Sequence, residues 1–135
     1  MLQPKRTKFR KFQKSRVGGI RPNETGLKFG QFGLKALEPG RIAARTIEAV
    51  RRVVTRKFKR TGRIWIRIFP DIAISSKPAE VRMGKGKGAP SYWVSRVQKG
   101  QILFEMDGVT ATAARQAAKS AYYKLPIPTQ FVERE

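Results

Sequence analysis

The spacing of hydrophobic residues changes within the stretch RIAARTIEAVRRVVTRKFKRTGRIWIRIF, which spans residues 41–69. In its first part, hydrophobic residues recur every three or four positions, the period of one helical face. From Arg63 onward, isoleucines alternate with other residues, which is the period of a strand. The sequence therefore predicts a helix over 41–60 and a strand over 63–69. The hydrophobic positions of the helix are Ala43, Ile47, Val50, Val54 and Phe58.

Turn residues divide the rest of the chain into short strands and one further helix. Strands are predicted around 29–34, within 72–83, and at 91–97 and 102–106, the last two forming a hairpin around Lys99-Gly100. Thr110 is expected to cap an alanine-rich helix that runs to about residue 124, before a last strand over 127–132. Runs of strands between two helices predict a single α+β domain over 27–135, with a mostly antiparallel sheet.

Positive charge dominates the composition. Thirty Lys and Arg against nine Asp and Glu give a net charge of +21 over 135 residues. Self-repulsion at this level opposes a compact state unless a polyanion neutralises it, and nucleic acid is the usual partner. An anionic membrane surface is the competing interpretation. The sequence has no apolar run of spanning length and no cysteine for lipid attachment, so no membrane partner is expected.

The sequence lacks the residues on which most catalytic and metal sites depend. Without cysteine it has no disulfides, thiolate nucleophiles or cysteine-type zinc sites. Without histidine it lacks the commonest general base near neutral pH and the commonest metal ligand. We therefore expect no enzymatic activity, no metal site, no cofactor and no homo-oligomer.

Residues 1–26 form a basic extension in which proline and glycine interrupt any regular pattern. A disordered tail and an arm that orders on RNA are compatible interpretations, and we expect disorder when free and an extended path along RNA when bound. The candidate RNA-binding residues of the extension are Lys5, Arg6, Lys8, Arg10, Lys11, Lys14 and Arg16.

Cations also recur on the predicted helix, on the face opposite its hydrophobic residues, where Glu48 can pair with Arg52. An ordinary solvated face mixes signs, whereas this one is mostly cationic, so RNA contact is the favoured interpretation. The candidates are Arg41, Arg45, Arg52, Arg56, Lys59 and Arg60. On the 63–69 strand, the face that carries Trp65 suits packing or RNA contact, and packing is favoured for that ring.

The stretch RMGKGKGAP at 82–90 lies between two predicted strands. Its spacing fails the phosphate-binding patterns of P-loops, dinucleotide-binding folds and kinases. A mobile hairpin tip is the simpler alternative. A loop inserted into an RNA crevice is favoured, because glycine permits close approach and lysine binds phosphate without reading bases. The candidate residues are Arg82, Met83, Gly84, Lys85, Gly86, Lys87 and Gly88.

Several stretches, taken in order, resemble the L-sixteen family of large-subunit ribosomal proteins. They are MLQPKRTKFRK at 1–11, FGQFGLK at 29–35, IWIRIFPD at 64–71 and KPAEVRMGKGKG at 77–88, whereas residues 17–27 depart from the family pattern. The resemblance implies an α/β-hammerhead fold and a non-enzymatic protein that binds large-subunit rRNA near the peptidyl-transferase region, beside neighbouring ribosomal proteins. It implies that the 82–88 loop faces tRNA in the A site, or in the P site, and that the basic extension runs into rRNA.

Two further stretches bear on the compartment. GQILFEMDGV at 100–109 and ARQAA at 114–118 are similar to plant-type mitochondrial members. A sequence that begins at the family's own first residue is expected to carry no import presequence. We therefore expect a ribosomal protein made inside the mitochondrion, with a bacterial cytoplasm or a plastid as the alternatives. A non-ribosomal basic nucleic-acid chaperone is the alternative function.

Overall fold

A computed structural model describes residues 2–19 and 26–135. Met1 and residues 20–25, which belong to the predicted basic extension, lie outside the described residues. The predicted α+β class is confirmed, with two helices and two antiparallel sheets in the described chain. The elements are β1 (Phe32–Ala36), β2 (Gly40–Ala43), α1 (Ala44–Lys57), β3 (Arg63–Ile66), β4 (Ile72–Ser76), β5 (Ala89–Val97), β6 (Ile102–Asp107), α2 (Ala111–Tyr122) and β7 (Thr129–Glu133).

The first sheet has the strand order β3-β6-β1-β7, and the second has the order β2-β5-β4. In the first sheet β6 is internal, and every residue from 102 to 106 is buried. A continuous buried run of this kind is typical of a strand that is covered on both faces. The predicted hairpin of β5 with β6 is therefore wrong, because the two strands belong to different sheets. Instead, the turn between them bonds to the end of β1 through Gly100 N–H and the Ala36 carbonyl at 2.8 Å.

The start of the first helix also differs from the prediction. Residues 41–43 lie on β2, where Gly40 pairs with Val97 and Ile42 with Ser95, and the helix begins only at Ala44. This pairing satisfies backbone groups and buries Ile42 completely, so tertiary contacts outweigh the local helical period. Arg41 consequently lies on a strand and not on the helix.

The first helix ends at Lys57, before the predicted boundary at 60. Lys59 and Arg60 have φ angles of 53° and 65°. This left-handed conformation cannot continue an α-helix, and it commonly follows a helical C-terminus. Both cations therefore project from the turn between α1 and β3.

Several other boundaries also shift. The strand predicted around 29–34 begins at Phe32, the strand predicted over 63–69 ends at Ile66, and the 72–83 region contains the single strand β4. The last strand occupies Thr129–Glu133.

The main core lies between the two helices and the first sheet. The predicted apolar face of α1 is confirmed in Ile47, Val50 and Val54, each with no exposed surface. The predicted cap of α2 is also confirmed, since the Thr110 hydroxyl accepts a hydrogen bond from the Ala113 N–H at 3.2 Å. The second helix presents only alanines to the core, and it packs against α1 as well as β1 and β7. Those alanines are Ala114, Ala117, Ala118 and Ala121.

A buried carboxylate joins the first sheet to the chain that precedes it. Glu105, on β6, has no exposed surface. Its Oε1 accepts the N–H groups of Lys28, Phe29 and Gly30 at 2.8, 2.9 and 3.2 Å, and its Oε2 pairs with Arg67 at 2.5 Å. Burial raises the pKa of Glu105, but these hydrogen bonds outweigh burial and hold that pKa below its usual value.

We predict that Ala117→Leu destabilises the fold by about 1–3 kcal/mol, because the fully buried alanine face leaves no room for three more carbons. The measurement is the free energy of unfolding in urea. Gln116→Leu is the matched control, since Gln116 is the exposed neighbour on the same helix. Equal stability of the two variants would contradict tight packing of α2.

Candidate RNA interface

The described part of the basic extension, residues 2–19, contains no helix or strand and lies against the second sheet. Phe12 packs on a small cluster of Ile72, Ile74 and Val94, which belong to β4 and β5. Leu2 packs on the main core. The sequence shows too few hydrophobic residues here for an independent core, and the structure uses two of them to attach the extension to existing cores.

Side chains of the second sheet hold the backbone of the extension. The Arg41 guanidinium on β2 donates to the carbonyl oxygens of Lys14 and Ser15, the first at 3.2 Å. On β5, Arg96 donates to the Ser15 hydroxyl at 3.1 Å. Just beyond β5, Gln98 Nε2 donates to the Gly18 carbonyl at 2.8 Å. Arg41 therefore positions the extension, whereas the sequence placed it on the cationic face of the helix.

These contacts leave the charged side chains of the extension exposed. All seven predicted RNA-binding cations between residues 5 and 16 are exposed. Because the acceptors for Arg41 and Gln98 are backbone carbonyls, the attachment does not neutralise the extension. It presents a line of cations along one side of the second sheet.

The glycine-lysine loop, residues 82–88, joins this line. Lys11 Nζ donates to the Lys87 carbonyl at 2.9 Å, and Lys87 Nζ donates in return to the Phe12 carbonyl. This reciprocal pair ties the loop to the extension across 75 or more residues of sequence. A third lysine, Lys77, donates to the Gly84 carbonyl at 2.6 Å and braces the other side of the loop.

The backbone of the loop explains two of its glycines. Gly84 and Gly86 have φ angles of 97° and 94°, in the region that side chains disfavour, and a Cβ on either would meet open space. Gly88 serves a different purpose, because its Cβ would lie 2.5 Å from the Ser76 carbonyl oxygen. Lys85, between the two left-handed glycines, itself has a φ of 60°.

The tip of the loop is free of contacts that would explain it as packing. Met83 is fully exposed. Arg82 and Lys85 are exposed and make no ion pair with another described residue. Of the two loop lysines, Lys87 is engaged with the extension, whereas Lys85 forms no ion pair or hydrogen bond through its side chain within residues 2–19 and 26–135. The loop therefore projects one arginine, one methionine and one lysine from a braced base.

Three of the six cations predicted for the helix form a basic stripe on the surface of α1. Its three members, Arg45, Arg52 and Arg56, are exposed on the face opposite the buried residues of the helix. Glu48 pairs with Arg52 at 3.2 Å, as predicted, and more closely with Arg51, a partner that was not predicted. The spacing of three residues between Glu48 and Arg51 was the available signal.

The stripe and the extension meet at the start of α1. A cleft of about 300 Å³ there is lined by Leu2 and Gln3 of the extension and by Arg45 and Tyr92. The guanidinium of Arg45 lies 5.5 Å from the centre of the Tyr92 ring. Lys59 and Arg60 lie beyond the opposite end of the helix. The structure therefore joins the extension, the loop and the start of the stripe, and it places the last two cations apart from them.

Within residues 2–19 and 26–135, no helix is long and apolar enough to cross a membrane. The same residues contain no group of three or more acidic, histidine or cysteine side chains that could hold a metal ion. The chemistry that this surface offers is electrostatic: exposed cations held on the second sheet and on α1, with glycine-containing backbone at one end.

Sequence comparison matches residues 4–132 to the family model described as "Ribosomal protein L16p/L10e". The chain belongs to this family. It is 67% identical over 132 residues to the "Large ribosomal subunit protein uL16m" of Prototheca wickerhamii, and the alignment covers 98% of each chain. It is also 63% identical over 134 residues to the "Large ribosomal subunit protein uL16" of Acidiphilium cryptum (strain JF-5), covering 99% of this chain and 97% of that one.

Membership of the L-sixteen family makes the chain a structural ribosomal protein rather than an enzyme. The family match includes residues of the basic extension, the basic stripe and the glycine-lysine loop. The three surfaces that the structure assembles therefore all lie within, or largely within, the range that matches the family model.

The ion pairs of Glu48 on α1 predict that the free energy of unfolding falls at acid pH. The hydrogen bond from Arg51, with help from Arg52, lowers the pKa of Glu48 from 4.5 to about 2. As pH falls, the unfolded chain takes up this proton before the folded chain does, so stability present above pH 4.5 is lost progressively toward pH 2. We expect Glu48→Gln to remove about 1 kcal/mol of that loss, since the pair is partly exposed.

The measurement is the free energy of unfolding by urea at several pH values across this interval. Glu38→Gln is the control, because Glu38 is exposed and makes no ion pair within the described chain. A Glu48→Gln profile as steep as that of the control would contradict a working Glu48–Arg51 pair. Some slope should remain in both variants, because the pKa of Glu105 is also held low.

Proposed function

We propose that this chain is a structural constituent of the large ribosomal subunit, where it binds large-subunit rRNA. The observation that supports this most is the pair of hydrogen bonds from lysine side chains to backbone carbonyls that joins the basic extension to the glycine-lysine loop. Because a carbonyl carries no net charge, these bonds do not neutralise the lysines. A net charge of +21 needs a polyanionic partner, and rRNA supplies phosphates along an extended path. The relatives are named as large-subunit proteins, which agrees with this partner.

In the proposed complex, residues 1–26 follow rRNA and residues 27–135 form the domain that carries them. The cations of the extension and the basic stripe neutralise phosphates, and Lys59 and Arg60 add a second contact beyond the helix. Arg41 supports the extension from beneath. Phosphate contacts of this kind position a protein on RNA without reading its sequence.

The loop is proposed to contact tRNA in the A site near the peptidyl-transferase region, with the P site as the alternative. A site that admits tRNAs of one shape and many sequences requires contacts to the backbone and not to bases. Lys85 supplies a flexible charge, and Arg82 can hold a phosphate with two parallel hydrogen bonds. Met83, fully exposed, can adapt to an irregular RNA surface.

Neighbouring large-subunit proteins complete the proposed set of partners. The mitochondrial ribosome is the proposed location, with a bacterial one as the alternative, since relatives of both kinds align over nearly the whole chain.

The salt dependence of rRNA binding tests this function. Replacement of Arg45, Arg52 or Arg56 by Ala should each weaken binding of transcribed large-subunit rRNA and lower the slope of log K against log salt by about one unit. Lys119→Ala, on the exposed face of α2, is the control and should leave the slope unchanged.

Two results would contradict the proposal. Slopes equal to that of the unmodified protein in all three variants would mean that the stripe is only solvated. Equal competition by an unrelated RNA of the same length would favour the alternative function, a general nucleic-acid chaperone.

A separate experiment addresses the loop. Ribosomes reconstituted with the double variant Lys85→Gln, Lys87→Gln should bind A-site tRNA more weakly, by on the order of 1 kcal/mol for each lysine–phosphate hydrogen bond removed, and about equally for all tRNAs. The domain should stay folded, because the loop contributes nothing to either core. Lys99→Gln, at the exposed turn after β5, is the matched charge control.

The single variants separate two roles. Lys85→Gln removes the free charge, whereas Lys87→Gln removes the bond to the extension. Unaltered tRNA affinity and peptide-bond formation in fully assembled double-variant particles would show that the loop does not contact tRNA.

A further inference from the structure

Four side chains form a row beside the face of β3 that is opposite Ile64 and Ile66. Arg63 and Trp65 belong to the strand, Arg67 follows it, and Phe29 comes from the chain before β1. The Arg63 guanidinium lies 5.7 Å from the centre of the Trp65 ring. The Trp65 and Phe29 rings are 6.0 Å apart and 21° from parallel. The Arg67 guanidinium lies 5.3 Å from the centre of the Phe29 ring. The row therefore has a cation at each end and two aromatic rings between them, and it lies beside an edge strand of the first sheet.

The two ends of the row differ. At one end, Arg67 is nearly buried and its charge is neutralised by Glu105 at 2.5 Å. At the other end, Arg63 is exposed and forms no ion pair with any residue that the structure describes. Phe29 keeps 54% of its surface exposed, and Trp65 is only half-buried. Packing accounts for the Arg67 end and leaves the Arg63 end unexplained.

An open cleft of about 410 Å³ lies at the Arg63 end. It is lined by Phe29, Gly62, Arg63, Trp65, Asp107 and Gly108. The two glycines have φ angles of 73° and 78°, and a Cβ on Gly62 would lie 2.5 Å from the Asp107 carbonyl oxygen. At the rim of the cleft, the backbones of Gly62 and Gly108 therefore pack closely against each other and carry no side chains. The cleft combines aromatic rings, the Arg63 guanidinium and the Asp107 carboxylate.

We infer that this cleft binds one unpaired nucleobase of the large-subunit RNA. The inference rests on the proposed function, and it adds a base-binding site to a surface otherwise assigned to phosphates. The face of a base can stack on an aromatic side chain or on an arginine plane, and such faces are accessible in unpaired RNA and not within a duplex.

Asp107 distinguishes this site from a phosphate site. Its carboxylate repels phosphate oxygens, while it accepts hydrogen bonds from the exocyclic amino groups of adenine, cytosine or guanine. Uracil has no amino group. Its single N–H on this edge lies between two carbonyl oxygens, and the carboxylate repels those oxygens. The cleft should therefore prefer a base that carries an amino group over uracil.

The test uses the full chain and labelled hexaribonucleotides of adenine, cytosine or uracil, with an abasic ribose-phosphate hexamer as the fourth probe. Dissociation constants are measured by fluorescence anisotropy over a range of salt concentrations. Trp65→Leu removes the ring and keeps an apolar side chain, and Trp65→Phe restores a ring. Phe131→Leu is the matched control, since that ring lies under Arg115 on the opposite edge strand, where Arg115 is paired with Glu133.

We expect Trp65→Leu to bind the adenine hexamer roughly ten-fold more weakly, the ordinary effect of losing one stacked base. The slope of log K against log salt should not change, because stacking releases no counterions. Binding of the abasic hexamer should be unaffected, Trp65→Phe should recover most of the affinity, and Phe131→Leu should match the unmodified protein.

The outcomes separate the inference from the function on which it rests. Unchanged adenine-hexamer affinity in Trp65→Leu overturns the inference and leaves rRNA binding in place. A lowered salt slope in that variant also overturns it, because the contact would then be to phosphate. Failure of the unmodified protein to bind any RNA overturns both. If Trp65→Leu does not fold, Asp107→Asn decides: the preference for adenine over uracil should disappear, and its persistence contradicts the inference.

Discussion

The arrangement of the first sheet depends on the hydrogen bonds and the ion pair that the Glu105 carboxylate makes. It is buried on the internal strand β6, and a buried charge is tolerated only when its hydrogen-bonding capacity is met. Three consecutive N–H groups and one guanidinium meet it. These partners come from the chain before β1 and from the residue after β3. One carboxylate thus fixes where the chain enters the domain and how the edge strand continues.

Two consequences for the surface follow from this anchor. The backbone at 28–30 cannot move away without leaving the buried Oε1 of Glu105 without hydrogen-bond donors, so the Phe29 ring is held beside Trp65. Arg67, fixed at its guanidinium by the same carboxylate, lies 5.3 Å from the centre of the same ring. The cation-and-ring row beside β3 is therefore positioned from inside the core, although Phe29 keeps about half of its surface exposed. A surface assembled in this way can present aromatic faces to RNA without rearrangement.

The sequence predicted the α+β class, the apolar face of α1, the cap of α2 and the unusual loop, because each depends on residues close together in the chain. The prediction was wrong where pairing between strands that are distant in sequence determines the structure. Residues 41–43 have a helical hydrophobic period but pair with β5, and β5 and β6 adjoin in sequence yet enter different sheets. The hydrogen bonds from Arg41 and Arg96 to the extension could not be predicted either, because the spacing of residues 14–18 does not specify which strands the extension crosses.

The candidate interface shows how a chain with few carboxylates can position its cations. Glu48 is shared by two arginines and Glu105 is buried, so neither is available to hold the extension. Lysine and arginine donate to backbone carbonyls instead, at Lys14, Ser15, Lys87 and Phe12. A carbonyl dipole orients a cation but cancels none of its net charge, whereas a carboxylate would do both. Attachment through carbonyls therefore fixes the extension and the loop relative to each other and leaves their full charge for an RNA backbone. These cations still repel one another, and a bound polyanion such as the proposed RNA partner would relieve that repulsion.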